Sequence, residues 1–332
     1  MLLEVVETFV PRGVRIFNLA VGDVAKSWNP TTRRTAPRKS WVARTVDRLS
    51  REHDIVFVTC SGNIDETTIR GFLSGNKPYP QYLCEESVRI LDPGQAALAL
   101  TVGSIAAGTL TVSSAATAIA DANQPSPFTR SGPGMRNEVK PELVEIGGNL
   151  VHDRQGDWVR GNPGSSVVMA SHQLTPAAAY NRGTSFAAPR VAHKLALVLK
   201  DLQDADIGGI SAPLVKAFLV NSAAYPGDED LAHVRDELDS HGHKSWLNVL
   251  GYGLPDHVRA TYCDDYSAIL YFQGEIAPDH VAYFDVPVPP GLAESAGRKR
   301  MAVTVLHYPE VQRWGLERYL GTDLKWRVFR EM

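Results

Sequence analysis

Residues 181–199 read NRGTSFAAPRVAHKLALVL. From Ala187 onward, Ala188, Val191, Leu195, Val198 and Leu199 recur at intervals of three and four, the period of a helix with one buried face. Pro189 would cost about 3 kcal/mol in a helix interior. The helix is therefore expected to start close to Thr184 and Ser185, with Pro189 in or near its first turn. Ser185 then lies at the positive end of a helix, where backbone N–H groups have no helical acceptor and favour a developing anion. Gly183 permits a sharp turn or a close approach, and Ala187 and Ala188 keep bulk away from close neighbours. A Thr or Ser cap on a core helix accounts for the hydroxyls but not for the glycine, small residues and proline together.

Working outward, four short β-branched and apolar runs suit strands of a parallel sheet covered on both faces: VRIFNLAV (14–21), DIVFVTC (54–60), ALALTVGSI (97–105) and SSVVMAS (165–171). Between the first two, SWVARTVDRLSREH spaces Val42, Val46 and Leu49 for a helix that lies on the sheet, giving a βαβ unit. The expected fold class is α/β, a doubly wound and mostly parallel sheet, over residues 1–262. AKSWNPTTRRTAPRKS (25–40) has the composition of an exposed, solvated loop. After about residue 264 the pattern changes. SAILYFQGEI, HVAYFDVPV and KRMAVTVLHY alternate β-formers with polar residues, so 264–332 is expected to be a smaller β-rich domain. It holds fewer than the ~100 residues of a usual sandwich and is expected to be incomplete. LYFQG lies inside a strand-like run and is taken as native sequence.

The chain has 332 residues, 44% of them hydrophobic, enough for a full core. Its 34 basic and 37 acidic residues nearly balance, at a formal net charge of −3, so neither nucleic acid nor an anionic membrane is an expected partner. Cys60, Cys84 and Cys263 are odd in number and form no C-x-x-C pair, which fits a reducing, cytoplasmic setting better than a disulfide framework. The amino terminus lacks the pattern of a secretory signal, and no run of about 18 apolar residues occurs. HGH at 241–243 lacks the further ligands of a zinc site, and no metal or cofactor is expected.

GTSFAAPRVA resembles the nucleophile motif of the subtilisin-like serine proteases (subtilases, peptidase S8), in which the serine attacks a peptide carbonyl. Other stretches follow in that family's order. VRIFNLAVGD resembles the substrate-binding strand, and IVFVTCSGN the strand that ends in the oxyanion-hole asparagine. FTRSGPG and VKPELVEIGG, and later LVKAFLVNSAA and GYGLPDHVRA, resemble segments that complete the catalytic domain. The resemblance runs from about residue 2 to residue 262. It implies a polypeptide substrate, Ser185 as nucleophile and Asn63 as oxyanion donor; loss of such a donor costs roughly 10²–10³ in rate. It further implies Ala20, Val21 and Gly22 as the edge that pairs with an extended substrate. Thr59, Cys60, Ser61 and Gly62 would form the opposite wall, with Thr184 beside the nucleophile. Cys60 is expected to be a small buried residue rather than a nucleophile.

A subtilase triad runs Asp, His, Ser in chain order, and its first two members belong before the strand expected at 14–21. No His-Gly-Thr motif occurs, and Met1 falls where the family would be inside the helix after its catalytic His. His193 is eight residues past Ser185, about 12 Å along the helix axis. His152 and His172 have the look of solvated loop side chains. Glu142 and the IGG at 146–148 stand where the family usually has Asp and Ala-Pro-Gly. The leading expectation is the carboxy-terminal part of an intracellular serine endopeptidase whose Asp and His lie on a missing or separate segment, so that this chain is inactive alone. The alternative is a catalytically dead peptide-binding or scaffold module. An α/β-hydrolase esterase is disfavoured because residues 183–187 are not a G-x-S-x-G elbow.

Overall fold

A strand covered on both faces has no side open to water, and two runs obey this: all of Val56–Cys60 and all of Leu100–Ile105 are buried. The computed structural model describes residues 1–27, 39–109, 115–226, 228–240, 242, 245–264, 267–287, 291, 294, 296, 300–311, 319–322 and 324–328. In chain order the elements are α1 (Leu2–Phe9), β1 (Ile16–Leu19), β2 (Asp23–Ser27), α2 (Trp41–Glu52), β3 (Val56–Cys60), α3 (Glu66–Ser74), β4 (Leu91–Asp92), β5 (Leu100–Ile105) and β6 (Thr117–Ala118). They continue with β7 (Leu143–Ile146), β8 (Val151–His152), β9 (Trp158–Val159), β10 (Val167–Ala170), β11 (Ala178–Asn181), α4 (Thr184–Asp204), α5 (Ala212–Asn221), α6 (Asp228–Asp239), α7 (Leu247–Leu250) and α8 (His257–Thr261).

The central sheet is parallel, in the order β1-β3-β5-β7. Strand alternation sends Val56, Val58 and Cys60 toward α4 and α5, while Phe57 packs with Val6 of α1 and with Ala43, Val46 and Leu49 of α2. Helices thus cover both faces, and the sheet is doubly wound as expected. The Ser40 hydroxyl accepts from the Ala43 N–H at 2.9 Å and fixes the start of α2. Because the strands run in parallel, the ends of β1 and β3 open at one edge, where α4 begins.

The run at 165–171 is not part of this sheet. Val167–Ala170 pairs antiparallel with Ala178–Asn181 as a two-stranded ribbon, and Val168 is 61% exposed. The fourth place belongs to β7, whose Leu143 and Val144 are buried. Both segments are short, and periodicity cannot say which of two such short runs the core will cover; β7 even carries a charged Glu145 that is buried. The expected solvated loop at 25–40 also needs correction at one end, since the Lys39 side chain is fully buried, 3.8 Å from Asp47 and 3.7 Å from Glu138. Most of that stretch, 28–38, lies outside the described residues.

Helix α4 begins where expected, with Pro189 just past its first turn, at the start of the second. Proline has no N–H to offer the Ser185 carbonyl, a loss of about 3 kcal/mol. Burial of Val191, Leu195, Val198 and Leu202, at about 1.5–3 kcal/mol for each large side chain, outweighs it.

Beyond residue 262, the described residues form no strand ladder, only the bridges Asp264–Ser267 and Val311–Leu320. Leu270, Phe272, Val281 and Tyr283 are exposed. Alternation sets which side chains share a face, but a strand also needs a neighbour's N–H and C=O groups, and none lies alongside among the described residues. The tail is instead pinned to the sheet's base: the Tyr308 hydroxyl donates to the Leu98 carbonyl at 3.2 Å, and that of Tyr319 to Asp47 Oδ2 at 2.7 Å. No helix among the described residues is long and apolar enough to cross a membrane.

Candidate active site

Ser185 is the second residue of α4 and half-buried, with its Oγ 3.5 Å from the Ala20 carbonyl oxygen. The helix cap is Gly183, and no side chain caps it. The Thr184 hydroxyl, a natural capping group, is used elsewhere: it donates to Asn63 Oδ1 at 3.1 Å, and the Thr184 N–H donates to the same oxygen at 2.9 Å. Two donors on Oδ1 fix which end of the Asn63 amide is the oxygen. Nδ2 has no acceptor among the described residues and lies at the face of Gly183. A Cβ on Gly183 would stand 3.2 Å from it, and the φ of +146° independently favours glycine.

Asn63 is held from behind. Arg130 Nε donates to the Asn63 carbonyl at 3.0 Å, and the Arg130 N–H donates to the Gly62 carbonyl at 3.3 Å. A second clamp joins the asparagine loop to the serine loop: Arg182 Nη2 donates to Glu66 Oε1 at 2.7 Å, and Arg160 Nη2 donates to Glu66 Oε2 at 3.0 Å. Burial alone would push the Glu66 carboxyl up, but the two guanidinium groups outweigh it and hold it below the usual glutamate range. Arg130, Glu66 and Arg182 carry no sequence signal that marks them for this work.

The two expected walls differ. Val21 and Gly22 are exposed and Ala20 half-buried, so this side is open. The opposite side is largely occupied. Thr59 is fully buried, with its hydroxyl donating to Thr101 Oγ1 at 3.2 Å, and lies in the sheet interior rather than at the cleft. Ser61 is fully buried, and its carbonyl accepts from the Leu91 N–H at 3.0 Å. Gly62 has a φ of +97°, and a Cβ there would meet the Leu91 side chain at 2.6 Å. Gly22 faces the same side chain, and a Cβ on it would stand 3.1 Å from the Leu91 Cδ1. Leu91 therefore fills the space between the two glycines, a role that nothing in ILDPG announces. Cys60 is buried, its Sγ 3.7 Å from the Val21 carbonyl. Burial pushes its thiol up, against the opposing pull of the Thr184 and Ser185 hydroxyls, so it is a thiol and not a thiolate at neutral pH.

Among the described residues no histidine hydrogen-bonds Ser185. His152 Nδ1 is 2.9 Å from the Asp153 carbonyl, and His172 lies in the β10–β11 turn. His193 is on α4 itself. His241 and His243 are outside the described residues. No group of three or more metal-ligating side chains occurs among the described residues.

The serine at the start of α4 and the Asn63 amide just past the end of β3 thus meet at one edge of a doubly wound parallel sheet. The Subtilase family profile matches residues 2–253, and the chain belongs to that family. A protein of Sinorhizobium fredii, the uncharacterized protein y4bN, is 34% identical over 327 residues, which cover 96% of this chain and 72% of that one. Among solved structures, the prenylagaramide maturation protease PagA is 16% identical with a TM-score of 0.44, covering 78% of this chain and 65% of its own. MycP1 with its N-terminal propeptide removed is 18% identical with a TM-score of 0.42, covering 79% of this chain and 66% of its own. The chain thus spans just under two thirds of the length of these two structures.

Proposed function

We propose that this chain carries the nucleophile and oxyanion site of a serine endopeptidase that acts on polypeptides in the cytoplasm, with the catalytic Asp and His supplied by a separate segment. The observation that carries the reading is the double donation from Thr184 to Asn63 Oδ1 one residue before Ser185. It leaves an amide N–H free beside the helix start, where the Ser185 N–H also has no helical acceptor. Ser185 Oγ attacks the scissile carbonyl as its proton passes to the imidazole. The oxyanion so formed takes hydrogen bonds from Asn63 Nδ2 and the Ser185 N–H, and collapse to the acyl-enzyme sends the proton to the leaving amine. Water then releases the acyl group by the reverse sequence. The substrate lies extended along Ala20, Val21 and Gly22, the exposed wall. Without an added base the hydroxyl stays protonated, and the chain alone is inactive. The three free cysteines support the cytoplasmic assignment. Residues 1–262 form the catalytic unit, and 264–332 a further segment anchored to it through Tyr308 and Tyr319.

A fluorophosphonate probe tests it. With the Asp- and His-bearing segment present, the probe should label Ser185 rapidly, and neither Ser185→Ala nor the chain alone should react comparably. Absence of labelling with that segment present, or equal labelling of Ser185→Ala, refutes the proposal. The second reading, a peptide-binding module without catalysis, rests on the exposed edge at Val21 and Gly22. It predicts peptide binding along the 20–22 edge with no labelling under any condition.

A further inference from the structure

Away from Ser185, a cavity of about 130 Å³ lies where residues 83–89, the Ser131 loop and the start of α7 meet. Its polar lining comprises Cys84, Arg89, Ser131, Ser245 and Asn248. Arg89 is only half satisfied there. Its Nη1 donates to the Gly132 carbonyl and, at 3.4 Å, to Ser131 Oγ. Its Nε is buried, and neither Nε nor Nη2 has a partner among the described residues. Arg89 also makes no ion pair among the described residues: the nearby Glu85 is engaged by Lys77 at 2.7 Å, and Glu86 is exposed. A half-buried guanidinium with its Nε–H orphaned, and with its nearest carboxylates Glu85 and Glu86 held by another partner or turned to solvent, is a costly arrangement, because a desolvated donor goes unpaired.

The remaining donors define what fits. Nε–H and Nη2–H form one coplanar edge of the guanidinium, the geometry that takes two oxygens of a carboxylate or phosphate side by side. The Ser131 and Ser245 hydroxyls already donate to the carbonyls of Leu83, at 2.6 Å, and Gly242, at 2.8 Å. The Asn248 side-chain amide has no partner among the described residues and is a further donor. We propose that this cavity binds a small oxyanion, a carboxylate or phosphate group, held bidentately by the Nε–Nη2 edge of Arg89 and by the Asn248 amide. The site is joined to the serine's surroundings through one residue: Arg130 Nη1 donates to the Arg89 carbonyl at 3.0 Å, and Arg130 Nε to the Asn63 carbonyl at 3.0 Å. Binding at Arg89 does not depend on the role assigned to Ser185.

The test is a titration of the 332-residue protein with sodium phosphate and, separately, sodium acetate, at constant ionic strength in chloride, followed by calorimetry and by thermal melting. At least one anion should bind saturably at a single site and raise the melting temperature with concentration. Arg89→Lys keeps the charge but loses the fork, and should weaken binding about tenfold or more. Asn248→Ala should weaken it severalfold, and Lys200→Gln, at a surface pair with Asp204, should leave it unchanged. Phosphate alone, acetate alone, or both binding in this pattern identifies the preferred oxyanion. No saturable binding of either anion, or binding unaltered in Arg89→Lys, overturns the proposal. If Arg89→Lys does not fold, unaltered affinity in Asn248→Ala overturns it instead.

Discussion

Glu142→Gln should be among the most destabilising single changes in this chain. Glu142 Oε1 accepts from Lys140 Nζ at 2.7 Å and from Lys216 Nζ at 3.3 Å, while Oε2 accepts from the Thr101 N–H at 2.8 Å. The side chains are 1%, 3% and 11% exposed for Lys140, Lys216 and Glu142. Burial pushes the Glu142 carboxyl up, but the two ammonium groups outweigh it and hold it below the usual range. Burial pushes the Lys216 ammonium down, with Glu142 opposing. One carboxylate against two ammonium groups leaves a buried excess of one positive charge; glutamine leaves two. The amide can also turn an NH2 toward the Thr101 N–H, setting donor against donor. Removing one partner of a buried ion cluster costs about 3–5 kcal/mol. At about 2 °C per kcal/mol, the low end of the range for larger domains, the melting temperature should fall by about 6–10 °C. Denaturant titration should show the same loss as a lower midpoint at unchanged slope. Glu142→Gln with Lys216→Met removes the stranded charge as well, and should recover about 1–3 kcal/mol as coupling energy. A single-variant loss below about 1 kcal/mol, or a double variant no more stable than the single, would refute the assignment of a charge cluster.

Gly183→Ala should both destabilise the chain, by about 1–3 kcal/mol, and displace Asn63, because it combines a φ of +146° with a new Cβ 3.2 Å from the amide. Thermal melting reads the first effect and the labelling rate at Ser185 the second; a variant with wild-type values for both contradicts the close approach. The Glu66 clamp should be acid-sensitive. Its carboxyl is depressed in the folded state, so its contribution is complete above the ordinary value of 4.5 and is lost as pH falls through the lower folded value. Wild type should exceed Glu66→Gln by about 1 kcal/mol at pH 7, a figure kept small by partial exposure, and the gap should close in acid. A gap that widens as pH falls would show that the carboxylate is not the stabilising form.

Several features were legible in the sequence because they are local. The three- and four-residue spacing from Ala187 located α4, and short β-branched, mostly apolar runs located β1, β3 and β5, the last two buried along their whole length. The small size of Cys60 within such a run foretold its burial. Other features were not legible, for equally physical reasons. VVMA is the more apolar run, yet it is an exposed ribbon while LVEI is the core strand, because coverage is decided by neighbours that the run does not encode, among them the Lys194 that pairs the buried Glu145. Lys39 sits in a polar, basic stretch and is nonetheless enclosed, since Asp47 and Glu138 arrive from other elements. The alternating tail met no strand among the described residues with which to pair.

By itself, then, the sequence determined where the helix bearing Ser185 starts, three of the four sheet strands beside it, and the family to which the chain belongs. Only the tertiary structure decided that the Thr184 hydroxyl turns from capping to Asn63, 121 positions away, that Leu91 fills the gap between Gly22 and Gly62, and that Arg182 closes on Glu66. Periodicity and propensity act over a few residues of backbone. A hydrogen bond between distant loops depends on how the whole sheet carries its strand ends, and no single segment holds that information.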